Sequence, residues 1–158
     1  MKTWQLLYAM IWIAFVEFLL AMTPTGDRRP LVLAHIGLGV GIVVLAFVNF
    51  TRLRATRVPG RVKRIAKSTA TLSLAAGVLG VLLAVRLGAT WALPLVGITV
   101  YGAIAFLHVV NAFAILTQAA AVAIAYDMWE DREFAKETEP GVVPGFPKPE
   151  PTVVIQKG

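Results

Sequence analysis

Cysteine is missing altogether from this chain of 158 residues. Its absence excludes disulfides, thiolate metal sites, iron–sulfur clusters and the Cys-x-x-Cys-His attachment of a c-type haem. Charge is scarce as well. Asp, Glu, Lys and Arg make up 15% of the residues, against roughly 25% in an average soluble domain. Histidine occurs twice, as His35 and His108. There is no glycine-rich phosphate loop and no nucleophile motif, so nucleotide hydrolysis and serine-type chemistry find no support.

What the chain has in abundance is apolar surface: 58% of its residues are hydrophobic and its mean hydropathy is +0.74. Four apolar runs, at about residues 4–22, 31–51, 68–87 and 95–126, are each near or above the ~20 residues that a spanning helix needs. They predict an all-α integral membrane protein in contact with membrane lipids. The links between runs carry Pro24, Gly26 and Pro30, then Gly88 and Pro94, the usual punctuation between closely linked helices. Short links make sequence neighbours antiparallel, so the expected architecture is an up-down-up-down four-helix transmembrane bundle over residues 1–130. Helices two and four then run parallel.

Residues 131–158 form the expected tail. The stretch "DMWEDREFAKETE" is acidic, and "PGVVPGFPKPEP" is too rich in proline and glycine to be helical or packed, which predicts a disordered C-terminal end.

A net charge of +6 and a pI near 10.1 need no nucleic acid to explain them. Arg52, Arg54, Arg57, Arg61, Lys63, Arg64 and Lys67 cluster in one connection, "RLRATRVPGRVKRIAK". The positive-inside rule makes that connection cytoplasmic. Both termini then lie in the cytoplasm, "TPTGDRRP" and "GATWALP" face outward, and the chain is a multi-pass protein of the plasma membrane. The acidic stretch emerges beside the basic one and is expected to pair loosely with it, and Trp4 and Trp129 fall in an inner aromatic belt. A cleaved signal peptide competes for the first run. That run exceeds the usual 7–15 residues, however, and no A-x-A site follows it.

Each helical hairpin carries one histidine in its second helix, in "HIGLGVG" and "HVVNAFA", the pattern of a duplicated hairpin. His35 lies 17 residues before Arg52 and His108 lies 19 before Asp127, which places them about 25 and 28 Å above the inner boundary at ~1.5 Å per residue. Two neutral imidazoles at one depth on parallel helices suit the axial ligation of a haem iron, so the expected cofactor is haem b. Gly39 and Ala112, four residues further along each helix, leave space for a porphyrin, and Gly37 with Gly41 forms a G-x-x-x-G that permits close helix contact. Asn111, at i+3 from His108, either orients a ligand or bonds across the bundle. Arg86, Arg28 and Arg29, at the outer ends, are the candidate partners of the haem propionates.

Glu17 is the one acid inside the apolar runs. Its estimated height of ~20 Å puts it slightly below the histidines and makes it a candidate proton-handling or catalytic group. Competing accounts remain open at this point. An intramembrane histidine also serves as a helix–helix hydrogen bond, worth ~0.6 kcal/mol on average. A simple metal site finds no third ligand to complete it.

Over roughly residues 31–126 the order of "AHIGLGVGIVVLAFV", a basic loop, "RIAKSTATLSLAAGVLGVLL" and "FLHVVNAFAIL" resembles the haem A synthase family. That family is built from four-helix halves, each with a histidine pair on its second and fourth helices, and its compact members consist of one half. The resemblance implies His35 and His108 as haem ligands and, as an activity, oxidation of a haem methyl to a formyl group. The family places a Glu three residues before the second-helix histidine and an Arg directly after it, whereas Val32 and Ile36 stand here. The outer-loop cysteines of some members are also missing. Three functions are therefore carried forward: electron transfer or haem handling near a respiratory complex, haem-methyl oxidation, and a cofactor-free accessory subunit or homodimer that binds partner helices through small-residue faces.

Overall fold

A computed structural model describes residues 2–23, 29–95 and 97–138, with side chains as far as Glu133. Arg28 and the Pro/Gly-rich end of the chain lie outside the described residues. Four helices carry the structure: α1 (Thr3–Met22), α2 (Arg29–Ala55), α3 (Gly60–Ala84) and α4 (Val100–Thr138), with a short hairpin of β1 (Ala92–Leu93) and β2 (Ile98–Thr99) between the last two. All four helices are long and apolar enough to cross a membrane. The molecule is a multi-pass membrane protein folded as an all-α four-helix bundle. The packed pairs are α1–α2, α2–α3, α3–α4 and α1–α4, so the helices form a ring in which α2 and α4 lie on one diagonal.

The helices outrun their apolar stretches. α3 begins at Gly60, eight residues before the apolar run, because Arg and Lys are good helix formers and nothing after Pro59 breaks the pattern. The basic loop is therefore two helix ends joined by the link 56–59. Lys63 Nζ donates to the carbonyls of Arg54 (3.2 Å) and Thr56 (2.6 Å), occupying acceptors that the end of α2 would otherwise leave open. Val58 in the link is 4% exposed and joins the core.

Helix four departs from expectation at both ends. Leu95 and residues 97–99 are not helical, since Pro94 and Gly97 (φ 66°) turn the chain and Ala92↔Thr99 and Leu93↔Ile98 pair antiparallel. At the far end the acidic stretch continues the helix to Thr138, past the boundary at 131, since the first proline comes only at Pro140.

Two apolar clusters fill the half of the bundle nearest the basic link, one around Leu7, Leu53, Val62 and Tyr126, the other around Met10, Ile42, Ala70 and Ile115. Beyond the level of Ala14, Ile42, Ser73 and Ile115, the fully buried positions among the described residues are Gly88 and Ile104. The core is thus packed tightly on one side of that level and loosely on the other.

Candidate functional site: a histidine pair on the bundle diagonal

The buried stripe of α2 is Ile42, Ala46, Asn49 and Leu53, and that of α4 is Ile115, Ala119, Val122 and Tyr126. Continued one step of seven residues toward the loosely packed end, the first stripe reaches His35 and the second His108. Both stripes therefore run at intervals of 7, 4, 3 and 4, the repeat that keeps one helix face on a bundle core. The first helices of the hairpins match in the same way: Leu6, Met10 and Ala14 on α1 correspond to Val62, Ala66 and Ala70 on α3. The next step is Glu17 on α1 and Ser73 on α3. The duplicated-hairpin pattern thus extends to the register of the core.

This geometry brings the two histidines together. Their ring centroids are 6.3 Å apart, with the planes at 68°, just above the tight half of the core. His35 Nδ1 lies 2.8 Å from Glu17 Oε1, with the side chains 35% and 13% exposed. The contact has ion-pair distance without the alignment of a full hydrogen bond. Glu17 Oε2 and His108 Nδ1 are buried without a hydrogen-bond partner among the described residues. Buried polar atoms without partners are costly in hydrocarbon.

Gly39 has a different neighbour from the one expected. A Cβ built on it would lie 3.5 Å from Glu17 Oε1, in ordinary contact, so this face of α2 lies against the Glu17 carboxylate. Asn111 takes the second of its two expected roles: Nδ2 donates to the Leu72 carbonyl at 2.8 Å, tying α4 to α3. Ala112 is half-buried one turn from His108. Arg86 lies beyond the end of α3, exposed, in the left-handed region at φ 52°. Arg29 opens α2 and is exposed, about 9 Å along the helix axis from His35 at ~1.5 Å per residue. A Cβ added at Gly37 or Gly41 would meet nothing within 4 Å, so their G-x-x-x-G packs against no other helix among the described residues.

Helix α3 contributes what sequence reasoning did not single out. A Cβ on Gly80 would lie 3.6 Å from His108 Cε1, and the backbone of Ala76 interacts with the same ring. Phe18 of α1 and Phe113 of α4 meet with ring centroids 4.7 Å apart and planes tilted by 58°. The available signal was the spacing of Ser73, Ala76 and Gly80, small residues on one face of α3. No set of three or more metal-ligating side chains is grouped among the described residues.

No family model matches the chain, and neither the curated proteins nor the solved structures provide a match.

Proposed function

We propose that the protein binds one b-type haem between His35 and His108 and serves in electron transfer or haem handling linked to a respiratory chain. The observation that carries this is the 6.3 Å separation of the two rings. Two imidazoles on opposite sides of an iron, with metal–nitrogen bonds of about 2 Å, have ring centres about 6 Å apart. The chain's own residues suit the group in other ways. The small side chains of Ala76, Gly80 and Ala112 border the pair, and the bundle above it is loosely packed. Arg29 and Arg86, with Arg28 in the same connection, supply guanidinium groups for two propionates at that end. When bound, the haem supplies one-electron chemistry. The protein's part would be to hold the group through His35 and His108 and to exclude water on the side of its tight apolar half.

Electron transfer is preferred to haem-methyl oxidation because Val32 and Ile36, at the places where the resembling family carries Glu and Arg, are 44% and 51% exposed. The outward Gly37 and Gly41 favour association with a second copy or a partner subunit through α2. With the basic link on the cytoplasmic side of the plasma membrane, the histidines sit toward the outer leaflet.

The test is a reduced-minus-oxidised visible spectrum of detergent-purified protein produced with ample haem. A b-type spectrum that disappears in both His35→Ala and His108→Ala is the expected result. A colourless but folded wild-type protein overturns the proposal.

A further inference from the structure

The two hairpins repeat in register, yet they treat their histidines differently. At the step above Ala14 and Ala70 the first hairpin has Glu17 and the second has Ser73. Glu17 reaches 2.8 Å to His35 Nδ1. Ser73, 1% exposed, donates instead to the Thr69 carbonyl of its own helix at 2.8 Å, and His108 Nδ1 is left buried without a full hydrogen bond. Gly39 of α2 lies beside the same carboxylate, where an added Cβ would stand 3.5 Å from Glu17 Oε1, in ordinary contact.

A neutral imidazole has one nitrogen that donates and one that accepts. A carboxylate oxygen beside Nδ1 keeps the proton there and leaves the lone pair on Nε2, the second-sphere arrangement that orients a ligating histidine and raises its basicity. Building on the haem proposal, we infer that Glu17 is a positioning residue which holds His35 as the Nδ1–H tautomer with Nε2 free for iron, making His35 and His108 unequal ligands. The opposite arrangement, in which a protonated Glu17 donates its O–H to Nδ1, puts the ring proton on Nε2 and gives a distinguishable state.

Nitrogen NMR of haem-free protein, labelled with ¹⁵N-histidine and reconstituted in lipid nanodiscs, separates these states without any cofactor. The expected wild-type result is an Nδ1–H His35. Glu17→Gln retains it, because the amide oxygen still accepts, and Glu17→Leu converts His35 wholly or partly to the Nε2–H form while His108 stays as it was. A wild-type His35 protonated on Nε2, or an Nδ1–H form that persists in Glu17→Leu, overturns the inference. In haem-loaded protein Glu17→Leu is expected to retain haem about tenfold more weakly, in line with the effect of removing such partners elsewhere, with Glu17→Gln close to wild type. Equal retention in the leucine variant overturns the role toward iron. A wild-type protein that takes up no haem overturns the haem proposal and the ligand role with it, whereas the tautomer is decided by its own measurement.

Discussion

Glu17 and Ser73 occupy corresponding steps of α1 and α3, but Glu17 reaches across to His35 while Ser73 turns back to the Thr69 carbonyl of its own helix. A serine bonded to the preceding turn adds little to a helix and tends to bend it. Ser73→Ala is therefore expected to change stability by less than about 1 kcal/mol and to leave haem uptake unaltered. A large loss of haem in this variant would show that the hydroxyl reaches the site.

Gly80 and Gly77 make a controlled pair on α3. A Cβ on Gly80 would stand 3.6 Å from His108 Cε1, whereas one on Gly77 meets nothing within 4 Å. Gly80→Leu should push the His108 ring out of place and lower haem retention at least tenfold, and Gly77→Leu should retain haem normally. Circular dichroism of both variants checks that the helices survive, and equal retention would exclude the proposed ring position.

Gly88 is required by space as well as by dihedral angle. It has φ +69°, and an added Cβ would lie 2.6 Å from Val100 Cβ. Its carbonyl also accepts from the backbone N–H groups of Trp91 and Tyr101, which secures the turn between α3 and α4. Gly88→Ala should destabilise the bundle by about 1–3 kcal/mol, measured by unfolding in mixed micelles. An unchanged midpoint would mean that the turn adopts another geometry.

Arg86 separates stability from binding. It closes α3 in the left-handed conformation, with its N–H bonded to Leu83 O and that of Leu87 to Leu82 O, an ending that glycine fills without strain. Arg86→Gly should raise the stability of the haem-free protein by about 1 kcal/mol. If Arg86 also pairs with a propionate, the same change weakens haem retention. A rise in stability with unaltered retention would assign Arg86 to the turn alone.

Asn111 and Asn49 should respond unequally to the same replacement. Asn111→Leu removes a 2.8 Å bond between α4 and α3, and the expected cost is about 0.6–1.7 kcal/mol. Asn49, 3% exposed, donates to Leu6 O but leaves its Oδ1 buried and unsatisfied. Replacing a half-satisfied group with a leucine is therefore expected to be close to neutral. Comparing the two variants in the same unfolding assay tests both bonds.

The sequence by itself determined that this is a four-helix membrane protein, because runs of about 20 apolar residues have few other stable states and lipid forces their backbones into helices. It also determined that the two histidines share a depth, since rise per residue is nearly constant along a helix. The helix ends were less legible. Hydropathy marks where a chain is apolar, but Gly60–Lys67 and Asp127–Thr138 are helical through backbone propensity, and Leu95 and residues 97–99 are not helical because of Pro94 and Gly97. Rotation about each helix axis was decided by tertiary packing. Only the assembled ring of helices puts His35 and His108 on one diagonal, turns Glu17 toward His35, sets Gly80 beside His108 and leaves Gly37 and Gly41 outside. These are relations between faces of different helices, and no single apolar run contains them.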